Sequence, residues 1–386
     1  MIGGVLIAVI AAFGFALSRD TWERSGPPIR VASWAPYWQP DTALASFAAN
    51  SEMFADVSVV AFSARDAATI VAFEQLESDM IANYRAATTA SGTPLIATVF
   101  DDSPKGTMSA AFADPAARTR HVQALVALAT TGGGDGLGFD GLDLDYENFA
   151  FVDGRDSWAT TRPNWIAFLA ELSAALRPTE KQLIVSVPPV YDGGQTDASG
   201  YWVYDYAAMA DHVDRIRVMA YDYSVLSGEP GPIAPVDWVE QLVGAVSELV
   251  PPAKIDLGIP TYGYDWVVSV AGVCPVEQEP SSRAMSTVRA ARTVAERAIT
   301  PVWDEATAEQ MFDYTDTLTG PDAAGVGTTC TVQRTVRYLD ARAVHRRAVI
   351  AHRNDLHGVA LWALGNDDAL TWDALRAARR GEETWG

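Results

Sequence analysis

Lysine is almost missing from this chain. It occurs only at Lys105, Lys181 and Lys254, no basic run appears, and the formal net charge is -21. Nucleic acids and anionic membrane surfaces are gripped by clustered positive charge, so neither is expected as a partner of the folded part. Histidine is also scarce. His121, His212, His345, His352 and His357 show no ligand spacing, so no metal site and no cofactor is expected. His345 and His352 stand seven apart in a helical pattern and read as a surface or packing face. There are two cysteines, Cys274 and Cys330. In an exported chain such a pair predicts one disulfide; two buried free thiols are the other arrangement. No repeat array and no low-complexity tract is visible.

What is present suits a large α/β domain. At 386 residues and 49% hydrophobic, the chain can build one barrel or two ordinary domains. Abundant Ala and Arg suggest a bacterial source. Residues Ile2 to Leu17 are apolar, and Gly14-Phe15-Ala16 offers small residues for cleavage. Sixteen such residues are short for a spanning helix and suit a secretory segment. A basic leader region is lacking, so residues 1–27 are expected to be a signal peptide or an N-terminal membrane anchor. Either places the protein outside the cell or on the cell envelope.

Eight β-rich segments recur, most followed by a helical pattern: Ile29–Trp34, Val57–Phe62, Leu95–Phe100, Phe139–Tyr146, Gln182–Val187, Arg215–Tyr221, Ile255–Tyr262 and Gly358–Ala363. Near-continuous apolar strands fit a parallel sheet covered by helices. Trp165, Phe168, Leu169, Leu172 and Leu176 repeat at helical spacing, with Pro163 near the start. Asp237 and Glu240 read as a capping box, and Leu339 to Leu356 as a further helix. Eight alternations predict a (β/α)8 TIM barrel over residues 28–386. One connection is far too long for an ordinary loop. Residues 267–337 hold both cysteines and are read as a small α+β insertion between strands seven and eight.

The densest chemistry lies in Asp140-Gly141-Leu142-Asp143-Leu144-Asp145-Tyr146-Glu147. Strand periodicity puts Asp143, Asp145 and Glu147 on one face and Leu142, Leu144 and Tyr146 on the other. The spacing is not that of an EF-type calcium loop, and a solvated acidic loop would not interleave Leu and Tyr. Crowded carboxylates cannot all ionise, so one is held protonated, which suits general acid catalysis. Barrel chemistry sits at the C-terminal strand ends, so Glu147 is assigned as the acid. Asp145 is expected to share a proton with Asp143. Asp140 falls off that face and is read as structural.

The run resembles the DGxDxDxE signature of glycoside hydrolase family 18, the chitinase-like barrels. The resemblance implies substrate-assisted catalysis: the N-acetyl oxygen of the sugar attacks, Asp145 orients that group, and configuration is retained. Met219-Ala220-Tyr221-Asp222 is similar to the family's Met-x-Tyr-Asp element on strand six. It implies that Tyr221 and Asp222 bind the reacting sugar. Trp362 matches the Trp under that sugar, and aromatic faces suit the apolar face of a pyranose. Tyr37 and Trp38 after strand one, and Tyr262, Tyr264 and Trp266 after strand seven, are further candidates for lining the cleft. Asp101 and Asp102 read as caps or turn residues. Strand three lacks the Ser-x-Gly-Gly of many chitinases. With the ending Leu361 to Asp368, this moves the resemblance toward bacterial cell-wall and spore-cortex N-acetylglucosaminidases, although no LysM-type wall-binding repeat is visible. The expected function is a secreted hydrolase of β-1,4 linkages in GlcNAc-containing glycan, peptidoglycan or chitin. The alternatives are a non-catalytic chitinase-like glycan-binding protein and a barrel hydrolase with two carboxylates from separate strands.

Overall fold

The computed structural model describes residues 28–385, apart from 78, 133–135, 192–193 and 195–198. The expected signal or anchor segment, 1–27, lies outside the described residues. In chain order the strands are β1 (Arg30–Pro36), β2 (Phe54–Ala64), β3 (Ile70–Ala72), β4 (Leu95–Asp101), β5 (Gly141–Asp145), β6 (Gln182–Val187), β7 (Arg215–Val218) and β8 (Ile255–Pro260). They continue as β9 (Tyr262–Gly272), β10 (Arg283–Ser286), β11 (Val302–Asp304), β12 (Glu309–Pro321), β13 (Gly327–Tyr338) and β14 (Gly358–Trp362). Eight of them, β1, β2, β4 to β8 and β14, pair in parallel, and β1 closes the ring against both β14 and β2. This is the (β/α)8 barrel that the eight segments predict.

Alternation along the strands divides the core in two. Val57, Val59, Val99, Leu142, Leu144, Val185, Ile216, Leu257 and Val359 join the apolar layer that also takes in helix residues Phe168, Leu172 and Leu242. The opposite strand face is largely polar. Arg217 of β7 reaches Asp56 and Ser58 of β2, Asp143 of β5 and Asp256 of β8. Contacts among non-neighbouring strands require these side chains to fill the barrel interior. A buried ion pair survives only with close counter-charges and satisfied hydrogen bonds. Arg215 supplies a second cation to Asp56 and Asp256, and His357 Nδ1 lies 2.6 Å from Asp256 Oδ1.

Several boundaries differ from expectation. The helix holding Trp165 is Arg155–Leu176, so Pro163 sits inside it rather than near its start. Trp158 and Thr161, buried on the same helix, lie N-terminal to the proline. The helix Val236–Leu249 starts after Pro235, with no side-chain cap, so Asp237 and Glu240 form no capping box. A capping box does occur at Asp368 and Thr371. The Leu339–Leu356 segment is helical over Ala341–Arg353, capped by Asp340.

The insertion is an antiparallel sheet ordered β10-β9-β13-β12-β11, with the helix Thr287–Arg297. It begins at Tyr262, earlier than the expected 267, because only Thr261 separates the end of β8 from the next strand. Cys274 and Cys330 form a disulfide across 56 residues, joining the segment after β9 to β13. Closing a loop of that length restricts the unfolded chain. Replacing both cysteines by serine should therefore lower stability by roughly 2–4 kcal/mol, read as an earlier urea midpoint for the insertion. An unchanged midpoint would mean that the sheet pairing alone holds this arm.

Candidate active site

The acidic run enters the barrel as β5. The strand ends at Asp145, so Glu147 lies just past it and opens the short helix Asn148–Phe151. Strand parity therefore fixes Asp143 and Asp145, while a helical turn of the backbone directs Glu147. The segment is held from behind. Tyr204 Oη donates to the Tyr146 carbonyl at 2.5 Å, and Tyr146 Oη lies 2.8 Å from His121 Nε2. Burial holds His121 well below its usual range, near 4, so it packs as a neutral ring at neutral pH.

The three acids have different surroundings. Asp143 is fully buried and accepts from Trp34 Nε1 at 2.9 Å, Ser186 Oγ at 2.7 Å and Arg217 at 2.8 Å. Asp145 is also buried and has a hydrogen bond with Glu147. Its Oδ1 meets no partner among the described residues. Burial, then the charges of Glu147 and Asp143, push the Asp145 carboxyl well above the usual range. Glu147 is pushed up to about 7, chiefly by burial, with Asp222 adding to the rise. The hydrogen-bond partner of Asp145 is Glu147 rather than Asp143. Arg217, Trp34 and Ser186 already occupy Asp143.

The element after β7 closes the site. The strand ends at Val218, so Met219, Tyr221 and Asp222 lie beyond it rather than within it. The half-buried Met219 continues the ladder, its N–H donating to the Val187 carbonyl at 2.9 Å. The Tyr221 ring packs beside Gly258 of β8. A methyl group there would meet the Val218 carbonyl at 2.6 Å and the Tyr221 ring at 3.0 Å. The phenol is pushed well above its usual range by burial and by Asp145, Asp222, Glu147 and Asp143, so it remains a donor facing the acids. Asp222 adopts φ +57, a left-handed conformation that Asp tolerates better than most residues. Its Oδ1 accepts from Tyr262 and from Tyr264, the latter at 2.7 Å.

Aromatic rings line one side. Trp362, at the end of β14 and followed by a cis peptide, lies edge-on to Trp34 at 5.6 Å and to Trp38 at 6.0 Å. Tyr37 packs against Trp38 and Phe73, one ring further from Trp362. Trp266 is 2% exposed and belongs to the packing of β9 rather than to an open surface. Asp140 is on the far end of β5, accepting from the Leu95 N–H at 2.8 Å. Asp101 accepts from the Ser103 N–H and hydroxyl as a turn residue, and Asp102 pairs with Arg65 at the surface. Sequence reasoning missed Arg217, Ser186, Trp34 and Tyr204. An arginine in the middle of an apolar strand is the one signal that was available.

The family model of Glycosyl hydrolases family 18 matches residues 43–367. The chain belongs to this family. Similar proteins include the glycosylase YvbX of Bacillus subtilis (strain 168), 25% identical over 61% of this chain and 60% of its own length. The cortical fragment-lytic enzyme of Bacillus anthracis is 25% identical over 62% of this chain and 49% of its own length. The chain thus spans less than two thirds of these relatives. Among solved structures, a chitinase from Chromobacterium violaceum superposes with TM-score 0.71 at 24% identity, over 91% of this chain and 98% of that one. The spore cortex-lytic enzyme SleL of Bacillus megaterium gives TM-score 0.71 at 17% identity, over 91% and 74%. A chitinase of Cycas revoluta, solved with (GlcNAc)3, gives 0.65 at 18%, over 90% and 99%. At these identities the structures establish the fold.

Proposed function

We propose that this protein is a secreted hydrolase of β-1,4 linkages in a GlcNAc-containing glycan, peptidoglycan or chitin, acting with retention through the substrate's own N-acetyl group. The observation that carries the reading is the Asp145–Glu147 pair. Glu147, near 7, is a proton donor matched to neutral solution. Asp145 is held protonated by burial and by its neighbours, which makes it a poor nucleophile. Its buried Oδ1, without a partner among the described residues, is free to accept the N–H of an acetamido group. Asp222 and Asp143 are both committed to protein donors. The carbonyl oxygen of the acetamido group then attacks the anomeric carbon. The Tyr221 hydroxyl donates to that group, Glu147 gives its proton to the leaving oxygen, and Glu147 later takes one from water. Export is supported by the apolar N-terminal segment and by the disulfide, which persists in oxidising surroundings. The relatives that are named cortical fragment-lytic enzymes and chitinases support the two substrate classes.

Mass spectrometry of products from purified peptidoglycan and from chitin oligosaccharides tests this directly. Fragments ending in reducing GlcNAc are expected from at least one. Binding of both without cleavage would sink the hydrolase reading in favour of a glycan-binding protein. Activity should also fall as the pH rises above about 7, because the acid must carry its proton. An alkaline limb that begins several units higher would mean that a different group is the donor.

A further inference from the structure

The outer strands of the insertion sheet are short. β10 covers β9 only over Tyr262–Asp265, and β11 covers β12 only over Glu309–Met311. Beyond these points β9 and β12 become the two edges of an arm centred on β13. The β12 edge is guarded. It carries Asp313 and Asp316, Arg297 pairs with Asp316 and donates to the Thr315 carbonyl at 3.1 Å, and Gln278 faces the Thr319 carbonyl at 3.5 Å. The β9 edge is bare. Ser282 Oγ accepts the Val267 N–H at 3.0 Å. Past it, among the described residues, Val268 to Gly272 show no hydrogen bond outside the ladder with β13. Val268, Val270 and Val273 are 58%, 46% and 61% exposed. From Trp266 to Val276 no residue is charged, in a chain whose net charge is -21.

We propose that this edge is a self-association surface, on which β9 of a second copy of the chain adds as an antiparallel strand. An open edge presents backbone N–H and C=O groups, and what satisfies them is another extended strand. Native sheets close such edges with charge, proline or a covering segment. The arm uses charge and side-chain caps on β12 and neither on Val268–Gly272. Past an irregularity opposite Arg334, Ser269 to Gly272 keep regular register with Gln333 to Cys330. The stretch is fixed before a partner arrives: β13 backs it, and the Cys274–Cys330 disulfide ties down the chain just beyond. Little ordering cost is left to the encounter. The symmetry of the edge selects the occupant. Antiparallel pairing across a two-fold axis brings the same residues together from both sides, so the strand is its own complement. Two chains at -21 repel over most of their surfaces, and an uncharged strip is where that repulsion is least. A pair of short strands is small beside the roughly 1,200–2,000 Å² of a stable interface, so the dimer is weak and concentration-dependent. The inference is independent of the glycan reading.

Sedimentation of the full chain over a wide concentration range tests this, in parallel with hydrogen exchange. The average mass should rise from one chain toward two as concentration increases. Amides of Val268–Gly272 should exchange more slowly over the same range, while those of Asp313–Thr319 on the guarded edge stay unchanged. Val270→Lys puts on this edge the charge that the other already has. It should weaken association by about tenfold or more, since the substitution enters a symmetric contact twice. Thr317→Lys, on β12, should associate like the wild type. Both side chains are exposed, so the arm should fold in each variant, and unchanged exchange at β13 checks that. A one-chain mass at every concentration overturns the proposal. So does association that Val270→Lys leaves intact, as contact through the apolar segment Ile2 to Leu17 would be, or slowed exchange confined to other strands.

Discussion

Glu147→Gln should abolish hydrolysis, with kcat lower by about 10²–10⁴-fold, while sugar binding persists and stability at alkaline pH increases. The loss follows from the one proton that a carboxamide cannot give. Retained binding follows because Tyr221, Asp222 and Trp362 are untouched. The gain in stability is less obvious and comes from linkage. Glu147 is moved from an ordinary 4.5 to about 7 in the folded protein, mainly by burial. A raised carboxyl means that the folded state holds a proton which the unfolded chain has already released. Between those two values stability therefore falls as the pH rises. At one pKa unit per 1.36 kcal/mol, the strain amounts to about 3 kcal/mol once both states are ionised. Gln carries no such strain. Urea unfolding at about pH 4 and about pH 8 checks the sign: the variant should match the wild type at the lower pH and exceed it at the higher. A variant weakened equally at both would show that Glu147 is held for packing rather than for its proton.

The barrel was legible because its physics is local. Each of the eight strands carries its own apolar run, and the helices between them repeat at their own period. The acidic run was legible for the same reason, since alternation over a few residues decides which side chains share a face. What lay beyond sequence reasoning was the partnering across the barrel. Ser186, Trp34 and Arg217 meet at Asp143 from three different strands, separated by 43, 109 and 74 positions. No periodicity encodes such a meeting. It depends on closure of the sheet and on register, which puts Asp143 level with Ile184 of β6 and Thr98 of β4. The difference in hydrogen-bond partner at Asp145 has this origin. From sequence, Asp143 and Asp145 looked like the crowded pair, because nothing revealed that an arginine already neutralised one of them.

Strand ends were misjudged for a related reason. Tyr146 and Met219–Tyr221 are as apolar as the strands they follow, yet the regular strands end at Asp145 and Val218. Both leave the sheet where side chains must converge on one point. In one case a short helix turns Glu147, and in the other Asp222 adopts left-handed backbone geometry. Departure from regular structure at the C-terminal rim marks the residues that the site needs. The insertion adds to this from outside the barrel. Tyr262 and Tyr264 of β9 donate to Asp222, so a sheet formed by residues far along the chain holds a carboxylate of the cleft.

Asp145→Asn should lower kcat by about 10²–10³-fold, the scale at which removal of one preorganised electrostatic contact is felt in a dry site. The side chain keeps its size and its ability to donate to Glu147. What it loses is the capacity to become negative as positive charge develops on the acetamido nitrogen. The loss should therefore fall on the transition state and spare substrate binding, leaving KM within a few-fold of wild type. A thiazoline, which mimics the cyclised sugar, separates this role from mere packing. Its affinity should fall in D145N in proportion to kcat/KM, because both report stabilisation of the same charge. Stability gives the opposite sign. Asp145 is a buried acid held well above its usual range, so at neutral pH the folded protein keeps a proton that the unfolded chain has released, at a cost in stability. Replacing it with a neutral amide should raise the unfolding midpoint. A variant that is slower, binds thiazoline less well and is more stable is the pattern of a residue kept for chemistry at the expense of the fold. If kcat stays at the wild-type value, Asp145 has no part in the mechanism. If the midpoint falls along with kcat, the loss reflects damage to the barrel wall rather than to the reaction.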